Sequence, residues 1–234
     1  MRYFLILTIC MSFFEASAQT FFDRADAFFS QYVDEGNVNY ALIRKEPRTL
    51  NALVKEIAEL DLSNKRVTAD YLKSFYINAY NILVIKQVVD RYPIAGPLKV
   101  EGFFNGIKHT VMGQEMTLDE LEKGTLYKQF PDPRLHFVLV CAAKGCPPLA
   151  SYSYKPAGLD RQLTTRTREV LNLDWFIRVN NGKVQVSQIF EWYKGDFEKD
   201  GGSVKAFINQ YRKPAIEENM KLGSYEYDWA LNEQ

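Results

Sequence analysis

A chain of 234 residues with 29 lysines and arginines against 29 aspartates and glutamates carries no net charge, so nothing in its charge favours nucleic acid or an acidic membrane surface. With 47% hydrophobic and 25% charged residues it has the composition of a globular protein and not of a disordered one. Aromatic residues reach 14%, which fits either a heavily aromatic core or a groove for a flat or extended ligand.

The N-terminus reads as a targeting segment. Met1-Arg2 is a short positive start, Tyr3 to Phe14 is mostly apolar, and Ala16-Ser17-Ala18 is a small-residue cleavage site. So short an apolar run cannot span a bilayer. A rival reading makes Cys10 a lipidated residue, but bulky Ile9 precedes it and apolar residues follow it. The expectation is a signal peptide over 1–18 and one globular domain over 19–234. The mature chain would start at Gln19, be exported to the periplasm or extracellular space, and have no membrane span.

Phe21 to Val33 has helical apolar spacing, and Gly36 in the following turn suits a left-handed cap. Val38 to Tyr40 is predicted as a short extended piece, and Pro47 opens a second helix with a stripe of Leu50, Leu53, Val54, Ile57 and Leu60. Thr68 to Tyr92 is predicted as the longest helix and stops before Pro93. It is apolar nearly all round, so it is buried. Ser74, Asn78 and Asn81 share one face of it. Either the two amides tie the helix to a neighbouring loop or they line a pocket, and losing a partner for one would cost about 1–3 kcal/mol.

Ile107 to Val111 is predicted as a strand carrying His109 in an exposed setting. Thr117 and Glu120 form a capping box for a helix from Leu118 to about Tyr127. Leu135 to Val140, between the prolines at 131, 133, 147 and 148, reads as a buried strand. Leu159 to Leu173 is helical. Trp175 to Ser187 is a hairpin around Asn180-Asn181-Gly182. Gln188 to Tyr193 and Ser203 to Tyr211 are helical, and the tail with Tyr225, Tyr227 and Trp229 docks as a last strand. The fold class is α+β: a helix-rich N-terminal half packed on a small, mainly antiparallel sheet in the C-terminal half.

Cys141 and Cys146 are the candidate chemistry. In an oxidising compartment such a pair most often forms a disulfide. Alternatively Cys146 is a nucleophile with His136 as base and Asn78 or Glu122 as orienting group, by analogy of residue type with cysteine hydrolases. On a regular strand His136 and Cys141 would point to opposite faces, which favours Cys146. His136 is otherwise a core histidine with a polar partner. Asn81, Arg134 and Cys141 are the candidate binding residues. The expected arrangement puts His136 against Asn78 or Asn81, with Cys146 and Glu122 on the same cavity. The histidines and cysteines lack paired metal-ligand spacing, and no glycine-rich phosphate loop is present, so no metal and no cofactor is expected.

Four blocks carry a family resemblance, Phe75 to Asn81, Leu118 to Glu122, Asp132 to Phe137 and Cys141 to Pro147, and Leu159-Asp160 and Ser187 to Phe197 add to it. In that order they resemble the bacterial DUF547 domain, over roughly residues 65 to 200. The family often has histidine after the glutamate of the second block, where this chain has Lys123. The resemblance implies an architecture and candidate positions but no reaction. Two readings follow: an exported enzyme for cysteine-dependent hydrolysis or acyl transfer, or a non-catalytic envelope protein binding a small molecule, peptide or glycan over a structural Cys141–Cys146 disulfide.

Overall fold

Helix α1 (Phe21–Tyr32) begins where Thr20 and Asp23 cap each other, hydroxyl to N–H and N–H to carboxylate. The computed structural model describes residues 20–180 and 182–234; the expected targeting segment over 1–18, with Cys10, lies outside them. Helix α1 buries Phe22, Ala25, Phe28, Phe29 and Tyr32, the stripe that its spacing predicts. Gly36 has a φ of +86°, but it turns a hairpin between β1 (Val33–Asp34) and β2 (Asn37–Val38) and caps no helix. A Cβ there would lie 2.3 Å from Pro148 Cβ, so the position admits only glycine. Of the expected extended piece Val38 lies in β2, whereas Asn39 caps helix α2 (Tyr40–Lys45), which begins at Tyr40. Helix α3 (Arg48–Glu59) follows and buries Leu50, Leu53 and Ile57.

Helix α4 (Ala69–Val89) is the centre of the molecule. Thr68 caps it, and from Ser74 to Ile85 every residue is buried. It packs against α1, α2, α3 and a π-helical segment described below. A two-stranded ribbon of β3 (Lys108–Val111) and β4 (Gln114–Thr117) comes next. Its Thr117 makes the expected capping box with Glu120: the Thr117 N–H donates to Glu120 Oε2 at 2.8 Å, and the Glu120 N–H donates to Thr117 Oγ1 at 3.2 Å. The helix so capped widens into π geometry over Glu120–Tyr127. His109 is half-buried, not exposed: its Nε2 lies 2.7 Å from Oε1 of the buried Gln87.

The largest correction concerns Leu135 to Val140. This run is buried as expected, but it is no strand. Pro133–Phe137 is a 3-10 helix, and the Asp132 carboxylate caps it by accepting from the Arg134 N–H at 3.0 Å. Apolarity signalled burial here, while Pro133 and Asp132 set a tight turn that periodicity does not report. Without a strand, His136 and Cys141 are not held to opposite faces by a two-residue alternation.

Helix α5 (Leu159–Leu171) leads to the hairpin of β5 (Ile177–Asn180) and β6 (Lys183–Ser187). Three short helices follow: α6 (Ile189–Trp192), α7 (Lys194–Gly201) and α8 (Val204–Tyr211). Strand β7 (Leu222–Tyr225) then joins β6 in parallel, so the tail docks as predicted and the sheet has the order β5-β6-β7. The fold is α+β. Among the described residues no helix is long and apolar enough to cross a membrane.

Candidate functional site

The chain from Val138 to Tyr154 crosses the interior with almost no regular structure, so its backbone polar groups need partners from elsewhere. Asn81 supplies two: its Nδ2 donates to Val138 O at 2.9 Å, and its Oδ1 accepts from the Val140 N–H at 3.0 Å. Asn78 does the same at the far end, donating to Tyr154 O at 2.7 Å and accepting from its N–H at 3.0 Å. Each amide thus stands in for a neighbouring strand. Neither lines the cavity described below, and the loop-tying role is the one their geometry serves.

The C-terminal tail holds the middle of the same segment. The Lys144 N–H donates to Ala230 O and the Gly145 N–H to Asp228 O, both at 2.8 Å, and the Asn232 N–H donates to Ala142 O at 3.1 Å. Gly145 permits this approach, since a Cβ there would sit 2.9 Å from Asp228 N. Between these anchors Cys141 and Cys146 are joined in a disulfide, with an S–S distance of 2.06 Å. The Tyr227 hydroxyl lies 3.2 Å from Cys141 Sγ and donates to Cys146 Sγ at 3.1 Å.

The 3-10 helix presents His136, whose Nε2 is 3.0 Å from Asp196 Oδ2 on α7. A carboxylate only accepts, so the ring proton sits on Nε2. The ring stacks on Tyr193 at 3.9 Å and on Tyr127 at 5.2 Å. Burial among these rings pulls the imidazole down to about 4, although Asp196 and Asp132 pull the other way. Its neighbour Arg134 is a brace. It holds Asp132 through Nε and Nη2 at 3.0 and 2.9 Å and reaches Asp160 and Thr164 on α5 at 2.8 Å each. Burial opposes the charge of Asp132, yet Arg134 and Lys73 outweigh it and hold that carboxyl at about 2.

From the π-helical segment comes Glu122. Burial pushes its carboxyl above the usual range, against the pull of Lys123 and of the Tyr80 and Tyr193 hydroxyls; the Tyr193 hydroxyl lies 3.2 Å from Oε1. π segments concentrate at functional sites, and this one aims the Glu122 carboxyl into the interior.

These parts enclose a cleft of about 770 Å³. Glu122, His136, Cys141 and Cys146 all line it, whereas Asn78, Asn81 and Arg134 do not. Sequence reasoning missed Tyr193, Asp196, Trp192, Tyr227 and Trp229. The first three sit in the block Ser187 to Phe197, where the density of aromatic residues was the available signal. At the mouth Trp192, Tyr227 and Trp229 cluster, with centroids 4.8 to 5.9 Å apart. No group of three or more histidine, cysteine, aspartate or glutamate side chains is placed to hold a metal ion among the described residues.

Residues 64–171 match the model of a family described as "Protein of unknown function, DUF547". No curated protein and no solved structure matches the chain. The matched stretch holds α4, Glu122, His136, both cysteines and α5, and it ends before the residues that close the cleft from the other side, Trp192, Tyr193, Tyr227 and Trp229. Over residues 64–171, just under half of the chain, it is similar to that family.

Proposed function

We propose that the chain is an exported binding protein whose cleft takes a neutral glycan. The observation that carries this is the aromatic shelf over a hydrogen-bonding floor. Trp192 is 47% exposed and offers a flat apolar face at the mouth, while the Glu122 carboxyl and the Tyr193 hydroxyl supply donors and acceptors below. Flat faces with a few fixed polar groups suit a sugar ring. A peptide would ordinarily add to a sheet edge, but no residue of β1 to β7 lines this cleft. The Cys141–Cys146 bond supports binding over cysteine-dependent hydrolysis or acyl transfer, because a bonded sulfur is not a thiolate. Export is supported by the N-terminal pattern and by the same disulfide, since such bonds persist in oxidising compartments.

Titration with a panel of neutral oligosaccharides and short peptides, followed by tryptophan fluorescence, tests the reading. An oligosaccharide should quench the signal saturably. Trp192→Ala should weaken that binding about tenfold, as loss of one stacking contact worth about 1.4 kcal/mol would do, with the melting temperature nearly unchanged. Saturable binding of peptides and of no oligosaccharide would overturn the glycan assignment.

A further inference from the structure

The Cys141–Cys146 bond has features that a purely structural disulfide does not need. Two donors reach Cys146 Sγ: the Cys141 backbone N–H at 2.9 Å and the Tyr227 hydroxyl at 3.1 Å, the hydroxyl bridging both sulfurs at 3.2 Å from Cys141 Sγ. Burial keeps the Tyr227 hydroxyl protonated, so it remains a donor throughout the physiological range. Both cysteines line the cleft, but Cys146 is buried and Cys141 only half-buried. The bond is thus asymmetric in two respects: Cys141 is the more exposed sulfur, and Cys146 alone has a backbone N–H aimed at it beside the shared Tyr227 hydroxyl.

We propose that this disulfide is a thiol–disulfide exchange site and that its substrate is a dithiol entering the cleft. The first thiolate of the dithiol attacks Cys141 Sγ. A bond forms between the two, the Cys141–Cys146 bond breaks, and its electron pair leaves on Cys146 Sγ. That thiolate then takes a proton from water. The second thiolate of the substrate attacks the mixed disulfide and releases Cys141. The net result is one substrate disulfide and two protein thiols. Leaving is faster from a sulfur whose thiolate is stabilised, and donors already aimed at the developing charge need no rearrangement.

The loop does not depend on its own disulfide. The Lys144, Gly145 and Asn232 backbone bonds to and from the tail hold it, and the Cys146 N–H donates to Ala143 O at 3.1 Å. So short a ring removes little chain entropy. Reduction therefore leaves both sulfurs beside Tyr227, as a reversible exchange requires.

The test uses the oxidised, full-length protein. It is exposed to glutathione as a monothiol, acid-quenched, alkylated and mapped by mass spectrometry. The expected product carries glutathione on Cys141 and a free, alkylated thiol on Cys146. After full reduction with dithiothreitol, the absorbance of the thiolate should show Cys146 titrating at least one unit below the ordinary thiol value of about 8.5. Tyr227→Phe keeps the ring and removes the donor; it should raise that value by about one unit and slow exchange about tenfold. Glutathione on Cys146, a Cys146 thiol titrating at or above the ordinary value, or unchanged titration and rate in Tyr227→Phe would each overturn the proposal. If Tyr227→Phe does not fold, the adduct position and the wild-type titration decide.

Discussion

Asn78→Leu should lower the stability of the protein by roughly 2–6 kcal/mol. The substitution keeps the volume and apolarity that a buried helix wants, so packing alone predicts little harm. It nevertheless strands both the N–H and the C=O of Tyr154, which the Asn78 amide satisfies at 3.0 and 2.7 Å. Each stranded buried group costs about 1–3 kcal/mol. In a protein of this size that corresponds to a fall in melting temperature on the order of 10 °C. Ser74→Ala is the matched control. Ser74 lies on the same helix face and is equally buried, but its hydroxyl has no hydrogen-bond partner. Its removal should cost under about 1 kcal/mol. Equal losses for the two variants, measured by urea unfolding, would show that burial and not bridging of the backbone is what matters.

A second large effect is expected from acid. His136 titrates at about 4 in the folded protein because burial among aromatic rings disfavours its charge. In the unfolded chain it returns to about 6.5. Below 6.5 the unfolded chain therefore binds a proton that the folded chain refuses, so stability is complete above that pH and falls as pH drops to 4. The total loss is about 3 kcal/mol. Asp132 does not enter this window. Its carboxyl is held at about 2, so its contribution is lost only below the ordinary carboxylate value of about 4. The check is a double difference: unfolding free energies of the protein and of His136→Gln at pH 7 and pH 4.5. Other titrating groups cancel in it. Between these two pH values the variant should lose about 2.4 kcal/mol less than the parent, and parallel curves would refute the assignment.

Local chemistry was legible in the sequence wherever the signal and the structure share one segment. Thr117 and Glu120, three residues apart, are a cap in the sequence and a cap in the fold. The strands predicted on either side of the Asn-Gly sequence pair as β5 and β6, and the apolar run of α4 is a buried helix. The cleft was half legible. Glu122, His136 and Cys146 were picked for their chemistry and do meet on one cavity. Their partners were out of reach, because Asp196 is 60 residues from His136 and Tyr227 is 81 from Cys146. Contacts at such separations are decided by packing, which single-sequence periodicity does not carry. The misread strand at Leu135 to Val140 has the opposite cause. Its burial was right, and the Asn81 side chain supplies at Val138 and Val140 the backbone pairing that a sheet would have supplied.

The tail contacts impose an order on synthesis. The loop that carries the cysteines is made 81 residues before Tyr227 reaches it, and Gly36 waits 196 residues for Asn232. At about 5–20 residues per second, the nascent chain holds an unclamped pair of thiols for several seconds. During that interval either cysteine is open to the wrong partner. A cleft closed by so late a segment should also mature slowly, as non-local contacts do, and a ribosome-stalled chain ending before residue 227 should show both thiols freely reactive.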